Sequence, residues 1–317
     1  MVKKHEKKRY KVVMKAKDKL KKGILYMGLS SVSIAILSLF IKLGMGYDEI
    51  TLLVFLRFCL PFILLIPLAL YKKILSFSTL NQELRKQLVR GSVVCISQYS
   101  FFFYLTKASL LDASMIFNLG MIFIVLIMRF FYKHPVSSGL WIALIISFLG
   151  TALILKPDRG VFDRYSFIGL LAAISMAISQ VIYSGHAGKG DTFKNMFYFL
   201  LVPSLITAAI FFGSKLFEGS SFSEVERILI KENPYRWLYV FGIAFCSISI
   251  QSLRGRAYYY ANPATLAPIM YVAIIFAAFF DYTVFHKVPD FVTLVGVVLI
   301  VLGSILPLFF NTSKRST

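Results

Sequence analysis

Apolar residues in this chain come in runs of roughly 18–25, separated by short gaps that carry charge, proline or glycine. A helix of that length matches the hydrocarbon thickness of a bilayer. The runs predict ten helices, over residues 24–43, 51–71, 91–106, 109–131, 138–155, 166–185, 193–213, 235–253, 260–285 and 291–310. Only helices and closed barrels satisfy every backbone group in lipid. Barrel strands would alternate polar and apolar positions over segments of about ten residues, whereas stretches such as MIFIVLIM at 121–128 are continuously apolar. The expectation is an all-α membrane protein of ten spans, with almost no sequence left for a soluble domain.

Composition sharpens that picture. The chain is 58% hydrophobic and 16% charged, against about 25% charged residues in an ordinary soluble domain. A net charge of +20 would suit nucleic acid, but the surplus sits in Met1–Lys22 and in gaps on one side of the predicted spans. With the N-terminus placed inside, 24 Lys and Arg fall on the inner side and ten on the outer, and Arg57 lies within helix two. Without the tail the bias is 13 to ten. This positive-inside pattern predicts both termini in the cytoplasm and no nucleic-acid partner. The basic cluster would be drawn to anionic membrane lipid, by about 1 kcal/mol per Lys or Arg near the surface. Residues 1–23 read as a solvated, disordered tail that fixes topology. The long apolar run Gly23–Gly44 does not fit a cleavable signal peptide. Cys59, Cys95 and Cys246 lie in apolar runs without metal-ligand spacing and read as small buried hydrophobes. No cofactor and no metal site is implied.

The chain also repeats itself. At an offset of 153, Gln98 falls on Gln251, Lys107-Ala108-Ser109 on Tyr260-Ala261-Asn262, Ala143 on Gly296 and Leu149-Gly150-Thr151 on Leu302-Gly303-Ser304. Earlier in the chain the offset is 142, with Ser33 to Ile36 falling on Ser175 to Ile178 and Pro61 on Pro203. The shared order divides the helices into five plus five, over 24–155 and 166–310. Five is odd, so the second repeat enters the membrane in the opposite sense. Inverted repeats of this kind build secondary transporters, with the substrate near the midplane between the halves.

Two blocks, Tyr104–Leu155 and Ala257–Leu306, resemble the paired signature of the drug/metabolite transporter superfamily, EamA-type. Each has a short third helix, an Ala/Ser-rich turn, a long fourth helix, a tight loop and a Gly-ended fifth helix. Phe55-Leu56-Arg57-Phe58 resembles that family's Arg-bearing second helix. The resemblance spans about residues 24–310 and implies a multi-pass transporter of the bacterial inner membrane. Members export amino acids and other metabolites, and some import S-adenosylmethionine. This chain departs from the family pattern at Gly120 and Ala273, where Pro is frequent, and at Lys133 and His286-Lys287, where Glu is frequent.

Polar residues inside apolar runs cost energy unless paired or wetted, which makes them candidates for the transport path. Gln98 and Gln251 hold equivalent places on helices three and eight and would face one another across the repeat axis, either around a substrate or as an interhelical bond. Asn118 and Tyr271 are equivalent on helices four and nine, where an amide beside a ring could hold a polar metabolite. Gln180, Ser33 and Ser175 could line the same cavity from helices one and six. Arg57 reads first as a brace of the fold, with snorkelling to the interface, binding of a carboxylate or sulfonium counter-group, or a part in coupling or gating as the alternatives. Asp281, near the outer end of helix nine, reads as a helix-end charge with proton coupling as the sharper alternative. Arg254 and Arg256 mark the inner end of helix eight. Ala143, Gly150, Gly296 and Gly303 would let helices five and ten pack together or form a homodimer surface.

The leading expectation is therefore a secondary carrier of a small polar metabolite, working by alternating access. No G-x-x-x-x-G-K-[ST] phosphate loop occurs. An integral-membrane enzyme would call for clustered carboxylates or histidines, and His5, His134, His186 and His286 are far apart in sequence. An accessory membrane subunit is the third option.

Overall fold

The computed structural model describes residues 2–44, 50–73, 77–108, 110–156, 165–187, 192–217, 236–286 and 288–310. The described elements are all helices: α1 (Val2–Gly44), α2 (Ile50–Tyr71), α3 (Phe77–Leu105), α4 (Leu110–Asn118), α5 (Gly120–Phe130), α6 (Ser138–Leu155), α7 (Ser166–His186), α8 (Thr192–Phe217), α9 (Arg236–Tyr260), α10 (Pro263–Met270), α11 (Val272–Phe285) and α12 (Phe291–Phe310). Among the described residues, nine spans are long and apolar enough to cross a membrane, and a tenth, shorter apolar helix covers Phe291–Pro307. Large apolar side chains such as Ile142, Ile145, Leu149, Leu294, Val298 and Leu302 lie exposed on α6 and α12. In water such a surface would aggregate, and in lipid it is the natural outer face.

The packing follows the repeat. Mapping α1–α6 onto α7–α12 exchanges the α1/α9 contact with the α3/α7 contact, and the α2/α9 contact with the α3/α8 contact. The α2/α8 and α6/α12 contacts map onto themselves and mark the pseudo-two-fold axis. Local geometry agrees at the offset of 153. Lys133 and His286 end α5 and α11 beyond their last turns with φ of 50° and 53°, a left-handed conformation uncommon outside glycine. Four residues on, Ser137 and Asp290 cap α6 and α12 by accepting the amides of Leu140 and Thr293. The tight loop of each repeat is thus the same local structure, although its residues differ in chemistry.

Small residues set the axis contact. A Cβ on Gly150 would lie 2.6 Å from the carbonyl of Gly296, and one on Gly296 would lie 2.7 Å from the carbonyl of Gly150. Lipid offers no hydrophobic drive between helices, so such close backbone approach carries the packing. At these positions α6 and α12 pack on each other within one chain.

Four expectations change. α1 starts at Val2, so the basic segment continues the first membrane helix instead of forming a disordered tail. Lys, Ala and Met are strong helix formers, and a preformed span removes the nucleation cost. Helices four and nine each carry one irregular turn, at Leu119 and at Tyr271, where the backbone stays right-handed but the regular hydrogen bonding is interrupted. Pro268 within α10 removes an amide donor just before the second of these turns. The third span begins at Gln87, taking in Arg90, and the eighth runs on to Tyr260, taking in Arg254. Both arginines therefore leave the loop count. The inner bias outside the tail falls to 11 against ten, and the orientation signal resides in the tail. The loops over 157–164, 188–191 and 218–235, with their charges, lie outside the described residues, as do Ser109, Lys287 and residues 311–317.

Candidate functional site

Polar side chains form a network in the interior of the bundle. Arg57 on α2 donates through Nη1 to Oε1 of Gln98 on α3 at 2.7 Å. Arg90, two turns before Gln98 on α3, donates through Nη2 to Oε1 of Gln251 on α9 at 2.9 Å. The two glutamines therefore point inward, as equivalent residues should, but each is held by a guanidinium and not by the other. Charge-assisted bonds of this kind are shorter and stronger than neutral ones.

The symmetry is broken in its chemistry. The offset that aligns Pro61 with Pro203 aligns Arg57 with Phe199 on α8. The second repeat has no arginine at that place, and Arg90 supplies one from α3. Its guanidinium lies 3.6 Å from the ring of Phe199 and 3.6 Å from the ring of Tyr183 on α7. A cation between two ring faces is favourable, most of all when desolvated, and Arg90 is only 1% exposed. Gly91 makes this burial feasible: a Cβ there would lie 2.7 Å from Val202, so α3 and α8 touch at this level.

Tyrosines extend the network. The Tyr183 hydroxyl donates to the Gln251 carbonyl at 2.6 Å, and the Tyr258 hydroxyl donates to Oε1 of Gln180 at 2.8 Å. Tyr183 and Tyr258 meet edge to face. Arg254, one turn beyond Gln251 on the same helix, is half-buried. Several buried polar atoms here bond to no described residue: Nε and Nη1 of Arg90, Nε of Arg254, Oγ of Ser247 and the Tyr99 hydroxyl.

The other expected residues are placed as follows. Asn118 turns its amide onto the carbonyl of Ser114 in its own helix, and its backbone carbonyl accepts the Tyr271 hydroxyl at 3.1 Å. The irregular turns of the two helices are thus joined directly. Ser33 bonds the carbonyl of Leu29 on its own helix. Ser175 is buried on α7. Asp281 is paired with Lys42 of α1 at 2.8 Å at the edge of the bundle, where Lys42 also lies 3.8 Å from the Phe285 ring. Arg254 does not end its helix, which continues to Tyr260, whereas Arg256 is exposed.

Arg90, Tyr183, Tyr258 and Phe199 were not expected as site residues from the sequence, and Arg254 was read there only as a helix end. A signal for the arginines was present: Gln87-x-x-Arg90 and Gln251-x-x-Arg254 share the three-residue spacing that puts both side chains on one helix face.

Two inverted helical repeats of apolar, membrane-length helices with polar residues buried between them define the membrane-transporter class. The sequence profile of the EamA-like transporter family matches the chain twice, over residues 21–156 and 164–309. The chain belongs to the EamA-like transporter family. It is 24% identical over 289 residues to the pseudopaline exporter CntI of Pseudomonas aeruginosa, covering 91% of this chain and 96% of that one. It is 23% identical over 262 residues to the S-adenosylmethionine uptake transporter of Rickettsia bellii, covering 83% and 84%. A crystal structure covering 92% of this chain and 96% of its own superposes with a TM-score of 0.66 at 16% identity, which shows the shared fold.

Proposed function

We propose that this protein is a secondary carrier that moves a small polar metabolite across the bacterial inner membrane by alternating access. The substrate would be an amino acid or a related compound. It binds between the repeats at the network of Arg57, Gln98, Arg254 and Gln251, with Gln180 and the tyrosines of α7 and α9 as a flanking wall. The observation that carries this reading is the bond from Tyr271 to Asn118. It joins the irregular turns at equivalent places in repeats of opposite sense, where two halves that rock against each other in alternating access would meet. The basic start of α1 supports cytoplasmic termini.

The test is counterflow in liposomes reconstituted with the full chain, using labelled amino acids and S-adenosylmethionine. A carrier gives saturable uptake that unlabelled substrate inside the vesicle accelerates. Uptake that rises linearly with concentration, without that acceleration, would sink the reading.

A further inference from the structure

The charge balance of the polar network is one-sided. Arg90 is bonded to Gln251, Arg254 follows Gln251 by one turn on the same helix, and Arg57 is bonded to Gln98, the repeat counterpart of Gln251. Among the acidic residues, only Asp18 and Asp281 fall within the candidate spans. Asp18 opens the first span, and Asp281 is paired with Lys42. Among the described residues the two ion pairs are Lys42–Asp281 and Lys156–Asp290, and neither involves the three arginines. Gln98 and Gln251 offer neutral carbonyl oxygens, which accept hydrogen bonds but cancel no charge. Several guanidinium donors, including Nε of Arg254 and Nε and Nη1 of Arg90, bond to no described residue.

Like charges in a low-dielectric interior repel, and each isolated cation there carries a desolvation penalty. An arrangement of this kind is held by the fold against its own stability, as functional sites often are. What relieves it is an anion.

Resting on the carrier reading above, we propose that the substrate is an anionic metabolite bearing at least two carboxylates, seated on Arg254 with Arg57 and Arg90 flanking it. The planar guanidinium fork matches a carboxylate with two parallel bonds. Arg57 and Arg90 are each anchored by one nitrogen to a glutamine and so keep a fixed pose. Arg254 has no such anchor among the described residues and is free to follow the substrate. A cationic or sulfonium-bearing solute meets repulsion at the same place.

The test is thermal unfolding of the detergent-solubilised full chain at low salt with citrate, L-glutamate, L-lysine, S-adenosylmethionine or chloride, alongside Arg254→Gln and Arg254→Lys. We expect citrate or L-glutamate to raise the melting temperature, and L-lysine, S-adenosylmethionine and chloride to leave it unchanged. Arg254→Gln should weaken carboxylate binding at least tenfold while raising the melting temperature of the empty protein by roughly 2–4 °C. Arg254→Lys should retain part of the binding. A purely structural arginine gives the opposite sign, with Arg254→Gln melting lower. The proposal is overturned by that result, by stabilisation with L-lysine or S-adenosylmethionine equal to that with citrate, by a response to chloride equal to that of the carboxylates, or by no response to either carboxylate. The carrier reading fails separately. Carboxylate binding without counterflow would leave the anion site standing and remove transport, and counterflow of a cationic solute would do the reverse.

Discussion

The hydroxyl of Tyr271 donates to the carbonyl of Asn118 at 3.1 Å, and the two residues are each other's counterparts in the repeat. The bond therefore sits on the pseudo-axis, between the ends of α4 and α10. Tyr271 is fully buried, so its hydroxyl has no exchange with water to fall back on. Tyr271→Phe removes the bond and keeps the ring. Interhelical bonds in membrane proteins average about 0.6 kcal/mol, with about 1.7 kcal/mol at most. We expect a loss of stability in that range. Because the bond belongs to one arrangement of the two turns, its loss also shifts the balance between arrangements. The maximal exchange rate in counterflow should change by up to about fivefold, with the half-saturation concentration altered less. An unchanged rate would assign the bond to stability alone.

Gln98 and Gln251 occupy equivalent places, yet their partners differ in burial. Arg57 is half-buried, whereas Arg90 is sealed between two rings. Removing the acceptor from a buried charge costs more than removing it from a partly wetted one. Gln251→Ala should therefore cost about 3 kcal/mol of stability, near the upper end for a bond to a charged group. Gln98→Ala should cost about half of that. Both should slow counterflow at least tenfold, because each frees an arginine of the proposed site. Melting curves of the two variants in one detergent check the order. Equal losses would mean that the rings, and not the glutamine, hold Arg90.

The sequence made the spans and the repeat readable because a bilayer imposes a length and an inverted duplication imposes a register. It pointed to Gln98 and Gln251 for the same reason, as paired polar residues in apolar runs. It hid Arg90 and Arg254. A charge in lipid is expensive, so an arginine near the end of an apolar run reads as the edge of the helix. These two face protein instead, Arg90 under the rings of Tyr183 and Phe199. Whether a side chain meets lipid or a neighbouring helix depends on packing that hydropathy along one helix does not carry. The irregular turns were hidden similarly. Leu119 and Tyr271 are ordinary apolar positions, and the strain-permitting neighbours, Gly120 and Pro268, lie one to three residues away. Gly120 in turn serves packing, since a Cβ there would lie 3.0 Å from the carbonyl of Ala173 on α7.

At the outer edge of the second repeat, Asp290 caps α12 and meets Lys156, which follows α6. The ammonium of Lys156, followed by the hydroxyl and amide of Thr293, holds its carboxyl well below the usual carboxylate range. A lowered folded value means that the carboxylate form is the stabilised one. Its contribution is present above the ordinary value near 4 and is lost as pH falls through the lower folded one. The pair is exposed, so the effect is small and screened by salt. Asp290→Asn keeps a capping oxygen and deletes the charge. Its melting temperature should lie slightly below that of the parent at pH 7, and the gap should narrow as pH is lowered below about 4. A gap that widens on acidification would contradict this account.

Gly150 and Gly28 provide a comparison at constant chemistry. Both are helical glycines within candidate spans, and alanine at either position gains the same intrinsic helix preference, about 1 kcal/mol. At Gly28 the added methyl meets nothing within 4 Å. At Gly150 it meets the backbone carbonyl of Gly296 at 2.6 Å and the amide nitrogen of Ile300 at 3.0 Å, neither of which can rotate away. Overpacking typically costs about 1–3 kcal/mol, so the clash outweighs the helix preference at Gly150 and is absent at Gly28. Gly28→Ala should melt at or above the parent temperature. Gly150→Ala should melt several degrees lower, since about 1 kcal/mol corresponds to about 2–4 °C in a chain of 150–250 residues. The contact lies within one chain, so both variants should elute at the parent's position in size exclusion. A dimer lost in Gly150→Ala but kept in Gly28→Ala would instead place the α6 and α12 glycines at an interface between two copies.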